Sequence, residues 1–104
     1  MLQYKIAFDA MPWDSPMAGV RCKVFRRDGR QLRLVEYTPD MAPHWCPKGH
    51  VGCILEGRFE IKFDEEIVIF EQGDGVFIPS GNEHRHMGRA LTDVVRVIFV
   101  EDVG

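Results

Sequence analysis

At 104 residues and 12.0 kDa the chain has room for one domain with one hydrophobic core, long enough to stand without disulfides. Hydrophobic residues make up 45% and charged residues 28%, which excludes a disordered chain and fits an ordinary globular one. The net charge is −3, and Lys and Arg are scattered among Asp and Glu without forming a basic stripe, so nucleic acid is not an expected partner.

Met1 to Ile6 lacks the charged region and apolar run of a signal peptide, and no apolar stretch approaches membrane-spanning length. The expectation is a cytoplasmic protein with no membrane partner. Three cysteines at unrelated spacings do not form a disulfide framework, and Cys22 and Cys53 read as small core residues.

Residues 1–19 read as an N-terminal arm and residues 20–101 as the body of a single domain. Within the arm, Tyr4 to Phe8 fits a short edge strand, and the segment holding Pro12 and Pro16 fits a surface loop because proline cannot donate to a sheet ladder. Val20 to Arg26 and Gln31 to Tyr37 are β-rich runs around Arg27-Asp28-Gly29-Arg30, where Asp-Gly supplies positive-φ turn chemistry. That pattern predicts a hairpin.

Runs at Val51 to Leu55 and Arg58 to Phe63 meet at Glu56-Gly57, and in the second Phe59, Ile61 and Phe63 alternate with Arg58, Glu60 and Lys62. Further strands are expected over Ile67 to Phe70, Val76 to Ile78 and Asp93 to Glu101. No window of ten residues carries apolar positions at helical spacing with caps at both ends. The fold class is therefore all-β, a sandwich or small barrel with almost no α-helix.

The chemistry gathers in two stretches. His44, Cys46 and His50 lie within seven residues, with His44 and Cys46 on one face of an extended segment and Trp45 on the other. His84 and His86 follow the turn sequence Pro79-Ser80-Gly81 and likewise fall on a common face. All four histidines of the chain lie in these two places.

On these residues the chain resembles a small single-domain cupin, a jelly-roll barrel, over about residues 30 to 100. Gly73, Pro79, Gly81 and His84 stand at the spacing of the second cupin motif, with Gly88 where asparagine is usual. Counting back from Gly57 in the first motif puts His50 at the glutamate position, Cys46 at the second histidine and His44 at the first. The spacing is kept while two of three ligand types change to other ligand-capable residues.

By this resemblance the metal set is His44, Cys46, His50 and His84, holding one divalent transition metal ion. Three imidazoles with a thiolate favour zinc or iron, with nickel, manganese and copper as alternatives. Cys46 is as readily a small packed residue as a ligand. His86 is a weak candidate for proton transfer, and otherwise a partner of the ligands or a surface residue.

Gly52, two residues beyond His50, either leaves open volume beside the metal or relieves crowding in a narrow barrel. Trp45 and Trp13 are expected to pack against a neighbouring sheet or subunit. Arg33, Tyr37, Arg58 and Arg96 could orient an anionic substrate, but exposed strand charges are commoner than pocket arginines.

The resemblance implies a metal-binding cupin that binds or acts on a small molecule, as a metal-dependent oxygenase or isomerase. The competing readings are a non-catalytic ligand or metal sensor and a structural zinc site in an assembly, since the barrel alone transfers no reaction. A homodimer is expected.

Overall fold

A computed structural model describes residues 3–103. Among these residues nine strands run in chain order: β1 (Asp14–Met17), β2 (Val20–Arg27), β3 (Arg30–Tyr37), β4 (His50–Glu56), β5 (Arg58–Lys62), β6 (Ile67–Glu71), β7 (Gly75–Ile78), β8 (Met87–Ala90) and β9 (Val95–Asp102). They form a six-stranded sheet in the order β1-β2-β3-β9-β4-β7 and a three-stranded sheet in the order β6-β5-β8. Two 3-10 turns of three residues, Phe8–Ala10 and Asn82–His84, are the helical content of the described residues. The all-β jelly-roll expectation holds, and among the described residues no helix is long and apolar enough to cross a membrane.

The β2–β3 hairpin closes where expected. Asp28 and Gly29 both take positive φ, 54° and 73°, which matches the twist of the flanking strands. Full pairing from Val20↔Tyr37 to Arg27↔Arg30 follows. Gly57, at φ 85°, carries the chain from β4 in the large sheet to β5 in the small one.

Three local expectations change. Tyr4 to Ala7 is not a strand, and the chain enters a 3-10 turn at Phe8. Instead of pairing, this arm is tied to the sheet by Lys23 Nζ on the Phe8 carbonyl and by an Arg27 guanidinium bond to the Gln3 carbonyl. The proline-bearing segment is not all loop: Pro16 lies in β1, an edge strand whose outer side needs no donor. β8 has no counterpart among the runs read from the sequence, because Met-Gly-Arg-Ala lacks β-branched residues and is held by pairing with β5.

The core lies between the sheets, built on Val35, Ile54, Val95 and Val97, with Phe59 and Ile61 from the small sheet. Alternation decides which side chains join it. In β7, Val76 and Ile78 are buried while Phe77 between them is 79% exposed.

Gly52 serves contact rather than open space. A Cβ there would lie 1.9 Å from the Ile98 carbonyl oxygen, so the glycine permits close approach of β9.

On the outer face, Glu36 is buried and receives Arg21 Nε at 2.7 Å and Arg96 Nη2 at 2.6 Å. Burial alone would push its carboxyl up, but the hydrogen bonds from Arg96 and Arg21 outweigh it and hold the group below the usual range. A carboxyl with a lowered folded pKa adds stability above its unfolded pKa, and that stability fades as pH falls through the folded value. Glu36→Gln is therefore expected to cost about 2 kcal/mol at neutral pH and to flatten the acid side of the stability curve. Urea unfolding at pH 7 and at pH 3 reads this, and an equal loss at both pH values would contradict it.

Candidate metal centre

The antiparallel register of the large sheet builds the site. Gln31 pairs with Glu101, and Val51 pairs with Val100, so His50 stands across from Glu101 at the start of β4. Their side chains point inward in one row. Gln31 Nε2 donates to Glu101 Oε1 at 2.7 Å, and His50 Nδ1 lies 3.0 Å from Glu101 Oε2. Arg33, two residues along β3, closes the cage with Nε on Oε1 and Nη2 on Oε2, both at 2.8 Å.

Burial would raise the Glu101 carboxyl, but bonds from His50, Arg33 and Gln31 hold it well below the usual carboxylate range. As a carboxylate it can only accept, which assigns the His50 proton to Nδ1 and turns Nε2 inward. The His50 ring is also fixed by stacking on Phe99, with centroids 4.6 Å apart.

The second half of the site comes from a two-residue bridge. Cys46 and His86 exchange both backbone hydrogen bonds, Cys46 N to His86 O at 2.8 Å and His86 N to Cys46 O at 3.0 Å. This stitches the ligand-rich loop before β4 to the segment that enters β8. His86 is buried at 5% exposure, and its Nδ1 lies 3.1 Å from the His84 carbonyl. A carbonyl cannot donate, so Nδ1 carries the proton and Nε2 keeps its lone pair.

That Nε2 is buried and has no hydrogen-bond partner among the described residues. An orphaned acceptor of this kind demands an explanation, and an unmodified ring nitrogen beside two other donors fits a metal ligand. Burial pushes the His86 pKa down, the bond to the His84 carbonyl opposes this, and His50 and His44 lower it further. The net shift is downward, toward the neutral ring that metals bind.

Cys46, His50 and His86 each offer one ligand atom, and these atoms all lie within 4.8 Å of one another. The set of one thiol and two imidazoles can hold one metal ion of the zinc or iron type. His44 lies outside this group but lines the same cavity, with Nδ1 held by the Ala42 carbonyl at 3.0 Å.

His84, the residue at the second-motif spacing, is not brought into the group. It ends the Asn82–His84 3-10 turn, its side chain is 42% exposed, and Nε2 lies 3.9 Å from Glu83 Oε1. The turn removes the two-residue alternation that would have placed His84 and His86 on one face. The extended segment resumes at Arg85, and His86 takes the inward position.

Sequence reasoning gave His86 a lesser role and did not single out Glu101 or Gln31. The usable signal was register, since Gln31 and Arg33 fall on the same face of β3 as the paired Glu101.

The centre opens on a cavity of about 1020 Å³ between the sheets, with Tyr37, Phe59, Ile61 and Val76 among its walls. Tyr37 stacks on Phe59 with ring centroids 4.8 Å apart. Gly88, which replaces the motif asparagine, lies under that ring, and a Cβ there would come within 2.5 Å of Phe59 Cζ. Arg58 and Arg96 take no part: they pair with Glu71 and Glu36 on the outside. Trp45 and Trp13 carry the guanidinium groups of Arg85 and Arg21 on their faces at 4.5 and 4.1 Å.

Comparisons place this architecture among known proteins. The structure of KdgF from Halomonas sp. is similar with a TM-score of 0.73 and 20% identity, covering 96% of this chain and 92% of that one. The cupin domain of Cnp3 from Schizosaccharomyces pombe is similar with a TM-score of 0.77 and 13% identity, over 97% and 74% of the two chains. Apo-HppE is similar with a TM-score of 0.72 and 16% identity over 89% of this chain, which spans about half, 54%, of that protein. At these identities the likeness is one of fold. No curated protein matches the sequence. The family model for the cupin domain matches residues 33–101, from the β3 arginine of the cage to its β9 glutamate, and this chain belongs to that cupin family.

Proposed function

We propose that this cupin binds one transition metal ion through Cys46, His50 and His86, and that its cavity takes a small molecule next to the ion. The buried, partnerless Nε2 of His86, facing two further donors, carries this reading. The mixed thiolate and imidazole set favours zinc or iron over harder ions. When bound, the ion would supply Lewis-acid polarisation of a ligand oxygen, or redox chemistry if it is iron.

The chain's own residues supply the rest. Glu101, clamped by Arg33 and Gln31, orients His50; the His84 carbonyl orients His86; the aliphatic and aromatic walls limit water around whatever enters. Three protein donors would leave an ion with coordination positions to spare, which supports small-molecule binding or catalysis, including the oxygenase or isomerase class. A second reading follows from His44 lining the same cavity: if it turned inward as a fourth donor, the site would close into the tetrahedron of a structural zinc centre.

Because Glu101 orients a ligand without touching the ion, Glu101→Gln is expected to weaken zinc binding by about 10-fold to 100-fold while the fold is kept. Competition with a chromophoric chelator measures the affinity, and unchanged affinity would remove Glu101 from this role. Apparent affinity in the wild type should also fall in acid, because protons compete for the two imidazoles and the thiol.

We also propose a homodimer formed through the outer face of the large sheet. The register sets Phe25, Leu32, Val100, Val51 and Phe77 side by side in one row across β2, β3, β9, β4 and β7. Val100, Val51 and Phe77 at its end are exposed at 39%, 42% and 79%. A contiguous apolar row of this kind is a common feature of contact surfaces. Light scattering at micromolar protein is expected to give twice the chain mass, and Phe77→Glu the monomer mass. A wild-type monomer at every concentration would contradict the proposal.

A further inference from the structure

The cavity holds two hydrogen-bond donors that the protein leaves unspent. Arg33 uses Nε and Nη2 on Glu101, and its Nη1 has no partner among the described residues. The Tyr37 hydroxyl likewise makes no hydrogen bond among them, although the ring is fixed against Phe59. Neither atom is sealed in the protein interior, since among the described residues only His86 Nε2 is both buried and unpaired. Both residues line the same cavity as the Cys46, His50 and His86 cluster.

Arg33 and Tyr37 project from the same face of β3 on either side of the fully buried Val35. They do not bond each other, and Arg33 spends its Nε and Nη2 on Glu101 instead. Burial pushes the Tyr37 hydroxyl up to about 12, and the nearby Arg33 opposes this only in part. At neutral pH the hydroxyl keeps its proton and can donate.

One guanidinium N–H and one phenol O–H facing a common space call for an anionic acceptor with two oxygens. A carboxylate has two acceptor oxygens and bonds charged donors more strongly than a neutral amide does. Beyond these donors the walls are apolar, with Phe59, Ile61 and Val76 supplying surface for a hydrocarbon body. Arg26 and Lys48, which also line the cavity, are offset by Asp14 and Asp102, so the Arg33 and Tyr37 pair, rather than a general positive field, sets the preference.

We propose that the cavity binds a small monocarboxylic acid, with its carboxylate shared by Arg33 Nη1 and the Tyr37 hydroxyl and its hydrocarbon body against Phe59, Ile61 and Val76. This rests on reading the cavity as a small-molecule site, but not on the presence of the metal. The acid group is held by β3, on the side chain that also binds the Glu101 partner of His50. Tyr37 is thus a ligand-positioning residue, and Arg33 serves two partners at once, Glu101 and the ligand.

The test uses hexanoate and benzoate against their neutral amides, hexanamide and benzamide, titrated into the full chain in metal-free and zinc-loaded forms and followed by protein-observed NMR. In both forms the acids are expected to bind about ten-fold more tightly than the amides, the advantage of a charge-assisted bond. Tyr37→Phe is expected to weaken binding of the acids several-fold, leaving the share held by the Arg33 guanidinium, while zinc stoichiometry and melting temperature stay near wild type. In the wild type, shifts should concentrate at the Tyr37 ring and the Arg33 side chain. Acids and amides binding equally would overturn the carboxylate assignment and leave a small-molecule cavity. If neither class binds, the small-molecule reading falls with it, and tight acid binding unchanged in Tyr37→Phe would place the carboxylate elsewhere.

Discussion

The Glu101 carboxylate is the interaction on which the centre of this molecule depends. It joins Gln31 and Arg33 of β3 to His50 of β4 through one partly buried anion on β9. Such a charge is costly to bury alone, and here the bidentate guanidinium and two further donors compensate it. The same bonds fix a histidine tautomer. Structural and functional demands therefore meet in one side chain, and the strand order β3-β9-β4 is what lets all its partners reach it.

The remainder of the donor set has a different mechanical basis. Cys46 and His86 sit on irregular segments, outside the named strands, and a single two-bond bridge holds them together. His50 is positioned by a rigid sheet and its partners by this bridge, so metal binding would be expected to stiffen the loop before β4 more than the sheet. Gly88 and Phe59 extend the arrangement into the cavity, because the missing side chain at 88 lets the Phe59 ring lie beneath Tyr37.

Much of the fold was legible in the sequence because its signals are local. Alternation in Arg58 to Phe63 and the Asp28-Gly29 turn specify strands and a hairpin through side-chain period and backbone sterics. β8 was not legible, since its four residues have weak strand preference and depend on β5 for partners. At the site, Cys46 and His50 were readable from motif spacing. His86 was not given its place, because a three-residue 3-10 turn shifts the inward position by two residues and spacing alone assumes an unbroken strand. Glu101 requires knowledge of which strands pair, and that is a property of the whole sheet. Gly52 was read as a choice between space and crowding, and only the position of the Ile98 carbonyl decides it.

The central claim is that His86, and not the motif-spaced His84, completes the donor set with Cys46 and His50. The most direct measurement is zinc and iron content per chain, by mass spectrometry, in wild type, His84→Ala and His86→Ala purified without chelator. The account predicts near-stoichiometric metal in the wild type and in His84→Ala, and its loss in His86→Ala with the fold intact by circular dichroism. Metal retained in His86→Ala and lost in His84→Ala would contradict it, as would a wild type that takes up no transition metal.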